Sequence, residues 1–114
     1  MGDSKLSPRA REQFLKPENE FYLSVISEWE IVLKYSLKNL ILSESPEILL
    51  PSERKKHGIL PLPLSEEATL YLHRLPSLHR DPFDRMLICQ AIAEKLTLIT
   101  PDHEISQYPV PTVW

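Results

Sequence analysis

The sequence predicts an α/β fold in which a mainly parallel sheet is covered on both faces by helices. One observation is the order of elements: α, β, α, α, β, α, α, β, short helix, β. Strands separated by helices call for right-handed crossovers between parallel neighbours. The other is punctuation. Eleven Pro stand against two Gly in 114 residues, and most of the Pro fall where an element starts or stops. The length is one domain's worth, so 1–114 is read as a single domain.

Each element has a local cause. Ser7-Pro8 opens the first helix: Ser7 can accept from the first free amides, and Pro8 lacks only an N–H that would be unpaired there. Pro17 stops it, because the residue before a proline avoids helical backbone. Glu20 to Val25 reads as a short buried strand with the β-prone run Phe21-Tyr22-Leu23. Ser24 and Ser27 are both candidate caps for the next helix, and Ser27 to Glu30 matches the S-x-x-E capping box. Ile26, Trp29, Leu33, Leu37 and Leu40 recur at helical spacing and are most simply a core stripe. Ser45-Pro46 starts a helix to about His57, with Gly58 placed to end it and Pro51 expected to kink or break it. Ile59 to Leu64 is extended, and Pro61 and Pro63 favour an edge or a strand end. Ser65-Glu66-Glu67 begins a helix that stops at Pro76. Asp81-Pro82 repeats the cap-then-proline signal for a helix to about Lys95. Leu96 to Thr100 is a buried strand, and Val110 to Trp114 a last one.

Composition excludes several classes. Lys plus Arg number 13 against 16 Asp plus Glu, for a net charge of −3, which argues against a strongly basic nucleic-acid binder. With 42% apolar residues the chain can fill a core, so wholesale disorder is not expected. A single Cys allows no internal disulfide and no Cys-based zinc site, and fits a reducing, cytoplasmic setting. No apolar run approaches the ~20 residues of a membrane span, and the N-terminus shows no secretory signal.

Ligands of open parallel sheets sit outside the carboxyl ends of the strands. Asp102 follows the strand that ends at Thr100, Asp84 lies in the first turn of the helix from Pro82, and Glu30 lies in the early turns of the helix after the first strand. Converging carboxylates repel unless a cation joins them, and Mg²⁺ or Mn²⁺ suits oxygen-only ligands. Such a site implies metal-assisted phosphodiester hydrolysis. Two of these acids also have a purely structural reading: Glu30 as the capping-box partner of Ser27, Asp102 as a turn residue at a strand end. Asp81 is better read as a helix cap than as a ligand. The four His show no metal-binding spacing, and Cys89 reads as a small buried hydrophobe. The basic run Arg54-Lys55-Lys56-His57 is read as a solvated face, with contact to RNA phosphates as its alternative.

Three segments carry a family resemblance. Ser24-Val25-Ile26-Ser27-Glu28-Trp29-Glu30-Ile31 resembles the S-x-x-S-x-W-E-I segment of VapC-type PIN-domain toxins. His79-Arg80-Asp81-Pro82-Phe83-Asp84-Arg85-Met86-Leu87 resembles their H-R-D-P-F-D-R-L-L block, and Leu96 to Asp102 their T-L-V-T-x-D strand. The resemblance implies a PIN-like three-layer α/β/α fold and a metal-dependent endoribonuclease toxin, with Glu30, Asp84 and Asp102 as catalytic and metal-holding acids and Mg²⁺ or Mn²⁺ as cofactor. Arg80 and Arg85, flanking the acids, would meet a substrate phosphate. An RNA substrate, a cognate antitoxin protein, which would offer an Arg to the carboxylates, and a homodimer are the implied partners. Apolar residues beyond one stripe, among them Ile31, Val32, Leu33, Ile41 and Leu42, suit such protein contacts.

The resemblance also implies a departure. Family members begin with a strand bearing the first acid, and neither Asp3 nor any other residue matches it. The expectation is therefore an N-terminally incomplete PIN domain with weakened metal binding. The competing expectation is a catalytically inactive PIN-fold protein acting by dimerisation or antitoxin binding. A flavodoxin-like domain is disfavoured, because no strand ends in an acidic pair.

Overall fold

In the computed structural model, residues 7–78 and 81–114 are described; Asp3, Leu6, His79 and Arg80 lie outside them. The elements follow the expected order: α1 (Pro8–Leu15), β1 (Phe21–Ser24), α2 (Val25–Ser36), α3 (Pro46–His57), β2 (Ile59–Leu62), α4 (Glu66–Tyr71), α5 (Pro82–Glu94), β3 (Leu98–Ile99), α6 (His103–Ser106) and β4 (Thr112–Val113). A 3₁₀ turn, Leu72–Arg74, extends α4 towards Pro76. The fold is α/β with parallel strand pairing. The strands form two two-stranded sheets, β1-β2 and β3-β4, where the sequence suggested one. In register, Phe21 faces Ile59 and Ser24 faces Leu62; Leu98 faces Thr112 and Ile99 faces Val113.

The described residues fall into two compact units. One is Glu20–Leu64; the other holds those up to Asn19 and those from Ser65 onward. In the first, α2 packs on β1 and on α3, and α3 packs on β2. Ser24, Ile26, Pro46 and Leu50 are its buried residues. In the second, α4 packs along α5. Ile88, Cys89, Gln90 and Ala91 are buried in succession, so this stretch of α5 is enclosed all round and not along one stripe. Ala68, Leu75, Ile105, Tyr108 and Val110 close the core around it.

Several expectations need correction. Ile26 of the α2 stripe is core as expected, but the rest is not: Trp29 is 59% exposed and Leu37 61% exposed, with Leu33 also open to solvent. Leu40 lies past the helix, which ends at Ser36. Lys38 there takes a left-handed φ of 60°, and the Asn39 amide closes on the Lys34 carbonyl at 2.9 Å. The cap is Ser24, whose hydroxyl accepts from the Ile26 amide at 3.0 Å. Ser27 therefore lies inside the helix, and Glu30 is too far along to complete a capping box with it. α3 runs through Pro51 without the break that was one of the two expected outcomes. Pro51 lacks the N–H that would have bonded to the Glu47 carbonyl one turn back, and the flanking turns carry the helix past it. β3 and β4 are two residues each and half-buried, shorter and more open than a buried central strand.

Candidate functional site

Asp81, Asp84 and Asp102 belong to one unit, and the helix starts that hold them are well defined. Asp81 caps α5: its Oδ1 accepts from the Phe83 amide at 2.9 Å and from the Asp84 amide at 3.4 Å. Pro82 takes the first helical position, where its missing N–H costs nothing. Asp84 is thereby fixed as the third residue of α5, with its own amide tied to the cap. Asp102 caps α6, its Oδ1 accepting from the Glu104 amide at 2.9 Å, while its amide donates to Thr100 Oγ1 at 3.1 Å. The short strand β3 thus passes into α6 through two consecutive side-chain turns, and the carboxylate sits one residue beyond Pro101. Both acids stand at helix starts whose amides are satisfied by Asp side-chain oxygens.

Glu30 belongs to the other unit, on α2. Its carboxylate pairs with Lys34 at 3.4 Å, one turn along, and its side chain is 30% exposed. Glu28 is turned elsewhere and pairs with Arg54 of α3 at 3.4 Å, in keeping with two residues about 200° apart around a helix. Arg54 is therefore partly buried between helices and does not belong to a solvated face, whereas Lys55, Lys56 and His57 are exposed. Cys89 is fully buried and burial pushes its thiol up, against a smaller opposing pull from Arg85. Both findings suit packing and not nucleophilic chemistry.

The donor set is right in kind for Mg²⁺ or Mn²⁺, since three carboxylates offer only hard oxygens. Among the described residues, however, no three His, Cys, Asp or Glu side chains are gathered closely enough to hold a metal ion. What the geometry does provide is two acids, Asp84 and Asp102, each locked at a helix start by side-chain hydrogen bonds. Arg85, next to Asp84, donates from Nη1 to the Pro76 carbonyl at 3.0 Å and reaches the Tyr108 hydroxyl at 3.5 Å. Tyr108 escaped the sequence reading. A lone Tyr in a Pro-flanked stretch carries no signal of its own.

The α/β elements with parallel strand pairing fit the class that comparison with known families gives. The chain matches the PIN domain family over residues 2–111, nearly its whole length, and it belongs to that family. A comparison with curated proteins found no match. Membership suggests nuclease activity in general, and PIN domains are generally divalent-metal-dependent nucleases. No described helix is long and apolar enough to cross a membrane.

Proposed function

We propose that the chain is a Mg²⁺- or Mn²⁺-dependent endoribonuclease toxin of a VapC-type toxin–antitoxin system, hydrolysing RNA phosphodiester bonds in the cytoplasm. The observation that carries this is family membership together with Asp84 and Asp102 held at the starts of α5 and α6. In this reading Glu30, Asp84 and Asp102 hold the cation. When bound, a divalent ion supplies hydroxide near neutral pH and offsets charge on the phosphate oxygens. The chain's own contribution is placement. The Asp81 cap fixes the first turn of α5, and the Thr100 hydroxyl and the α6 amide fix Asp102. Arg80 supplies positive charge to the substrate phosphate. A cognate antitoxin covers the acids, and the apolar residues of α2 support a homodimer.

A second reading is favoured by the absence of a gathered three-acid group among the described residues. In that reading the protein is a PIN-fold module that dimerises or binds antitoxin without cleaving RNA. RNA cleavage with Mg²⁺ or Mn²⁺, with Asp84→Asn and Asp102→Asn alongside, separates the two. The nuclease reading expects cleavage by the parent chain and a loss of at least about 100-fold in each variant, since losing a metal-holding acid misplaces the reacting groups. A folded parent that neither cleaves RNA nor gives a specific calorimetric heat with Mn²⁺ leaves the binding reading standing. Cleavage that survives both substitutions moves the chemistry away from these acids.

A further inference from the structure

By its sequence position Arg85 is a candidate for a substrate phosphate, but its guanidinium is engaged within the protein. Nη1 donates to the Pro76 carbonyl at 3.0 Å and reaches the Tyr108 hydroxyl at 3.5 Å. The same hydroxyl accepts from the Leu78 amide at 3.1 Å. Tyr108 is only 3% exposed and belongs to the core cluster with Ile88, Ala91 and Ile105. Its amide donates to the Ile105 carbonyl at 3.1 Å, which ties it to the end of α6.

Three segments therefore meet at one phenol: residues 76–78, the first turns of α5, and the residues just past α6. The first leads towards the cap Asp81, the second carries Asp84 beside Arg85, and the third belongs to the helix that Asp102 caps. A phenolic oxygen has room for two incoming donors while still giving its own proton, so Tyr108 can serve both Leu78 and Arg85. A planar guanidinium suits the other side of the junction. It offers several N–H groups in a rigid fork, so one residue can hold a carbonyl and a hydroxyl together.

We infer that Arg85 and Tyr108 form a positioning brace that fixes the separation of Asp84 and Asp102. The inference rests on the nuclease reading of those two acids. Arg85 acts through the placement of its neighbour and not by touching the scissile phosphate. Partners that orient a reacting group in this way are worth about 10- to 100-fold in activity when removed.

The test compares Arg85→Gln, Arg85→Lys, Tyr108→Phe and the Gln/Phe double variant by RNA-cleavage kinetics across a range of salt. The brace expects Arg85→Gln and Tyr108→Phe each to lower kcat about tenfold. KM, and the slope of log(kcat/KM) against log salt, stay at the parent's values. The double variant is no worse than either single, because the two residues act as one device. Arg85→Lys, which keeps the charge but not the fork, stays slow. A raised KM in Arg85→Gln, with a salt slope flattened by about 0.7, the figure for one lost contact to single-stranded phosphate, and a silent Tyr108→Phe overturn the brace. So does an Arg85→Gln variant with parental kinetics.

Hydrogen exchange at the Leu78 amide gives a readout that needs no activity. Its protection falls in folded Arg85→Gln if the guanidinium holds this stretch against Tyr108. Unchanged protection overturns the brace, whatever the RNA assay gives. If the parent chain cleaves no RNA but Arg85→Gln still loses this protection relative to it, the nuclease reading alone is sunk.

Discussion

At the scale of single residues, polar side chains at helix starts shape the region around the candidate acids. Asp81 satisfies two amides of α5 at once, so its truncation acts on stability and on the placement of Asp84 together. Asp81→Ala is expected to cost about 1 kcal/mol, and Asp81→Asn much less, because the amide oxygen still accepts. Urea unfolding of the two variants checks the ranking. Cys89 makes the complementary case for a buried group. Its thiol is pushed above the ordinary value of 9.0 by burial. As pH rises, the unfolded thiol ionises first. The stability that the neutral thiol contributes is therefore complete below about pH 9 and declines as pH climbs towards the folded value. Cys89→Ala is expected to flatten that alkaline limb while lowering stability at neutral pH through the cavity it leaves. Ellman's reagent should modify the parent thiol only as fast as the protein opens, and an immediate reaction would contradict its burial. Caps such as Ser7, Ser65 and Asp81 were legible in the sequence because their chemistry is local: a short polar side chain followed by a proline or by acids. The α2 cap was ambiguous for the same reason, since Ser24 and Ser27 offer the same chemistry three residues apart.

At the scale of elements, three described helices end in left-handed backbone, α3 with a glycine and α2 and α5 with lysines. α3 ends on Gly58 at φ 66°, and α5 ends on Lys95 at φ 58°. In α5 the Leu96 amide reaches the Ala91 carbonyl at 2.8 Å, which closes a Schellman turn that glycine normally serves. Lys95 bears a Cβ in a region where L side chains cost roughly 1–2 kcal/mol. Lys95→Gly is therefore expected to raise stability by about 0.5–1 kcal/mol, part of the relief being lost to a freer unfolded chain. Gly58→Ala has open space around its Cβ yet is expected to lose about 1 kcal/mol through backbone strain alone. Chemical denaturation of the pair gives shifts of opposite sign if backbone conformation, and not packing, sets these ends. The end of α3 was legible because glycine announces itself. The α5 end was read at about Lys95, where it falls, but the left-handed conformation of the lysines that close α2 and α5 was not foretold, because nothing in lysine signals it. Strand lengths were illegible too. A run such as Leu96 to Thr100 has the composition of a strand, but only pairing with Thr112 and Val113 decides how much of it becomes one.

At the scale of the whole molecule, periodicity tells which residues share a helix face but not whether anything covers that face. Val25, Trp29, Val32 and Leu33 lie on one arc of α2 about 100° wide, and all four are exposed, Trp29 to 59%. The sequence read part of this arc as core, because a buried stripe and a docking stripe have the same spacing. The candidate acids show the same limit. Their residue types and helix starts could be read locally, whereas their convergence is a long-range property that no spacing encodes. Exposed apolar arcs of this kind are where protein surfaces commonly associate, and the proposed homodimer would bury this one. A solvent-exposed Trp at such a contact carries a large share of the affinity. Trp29→Ser is therefore expected to weaken self-association at least tenfold, read by sedimentation equilibrium at micromolar concentration. Some monomer stability is lost with it, since the part of Trp29 that is not exposed packs within its own chain, so association is read at concentrations and temperatures where both chains are folded. A parent chain that stays monomeric across that range contradicts the homodimer. A dimer indifferent to Trp29→Ser places the interface on another face.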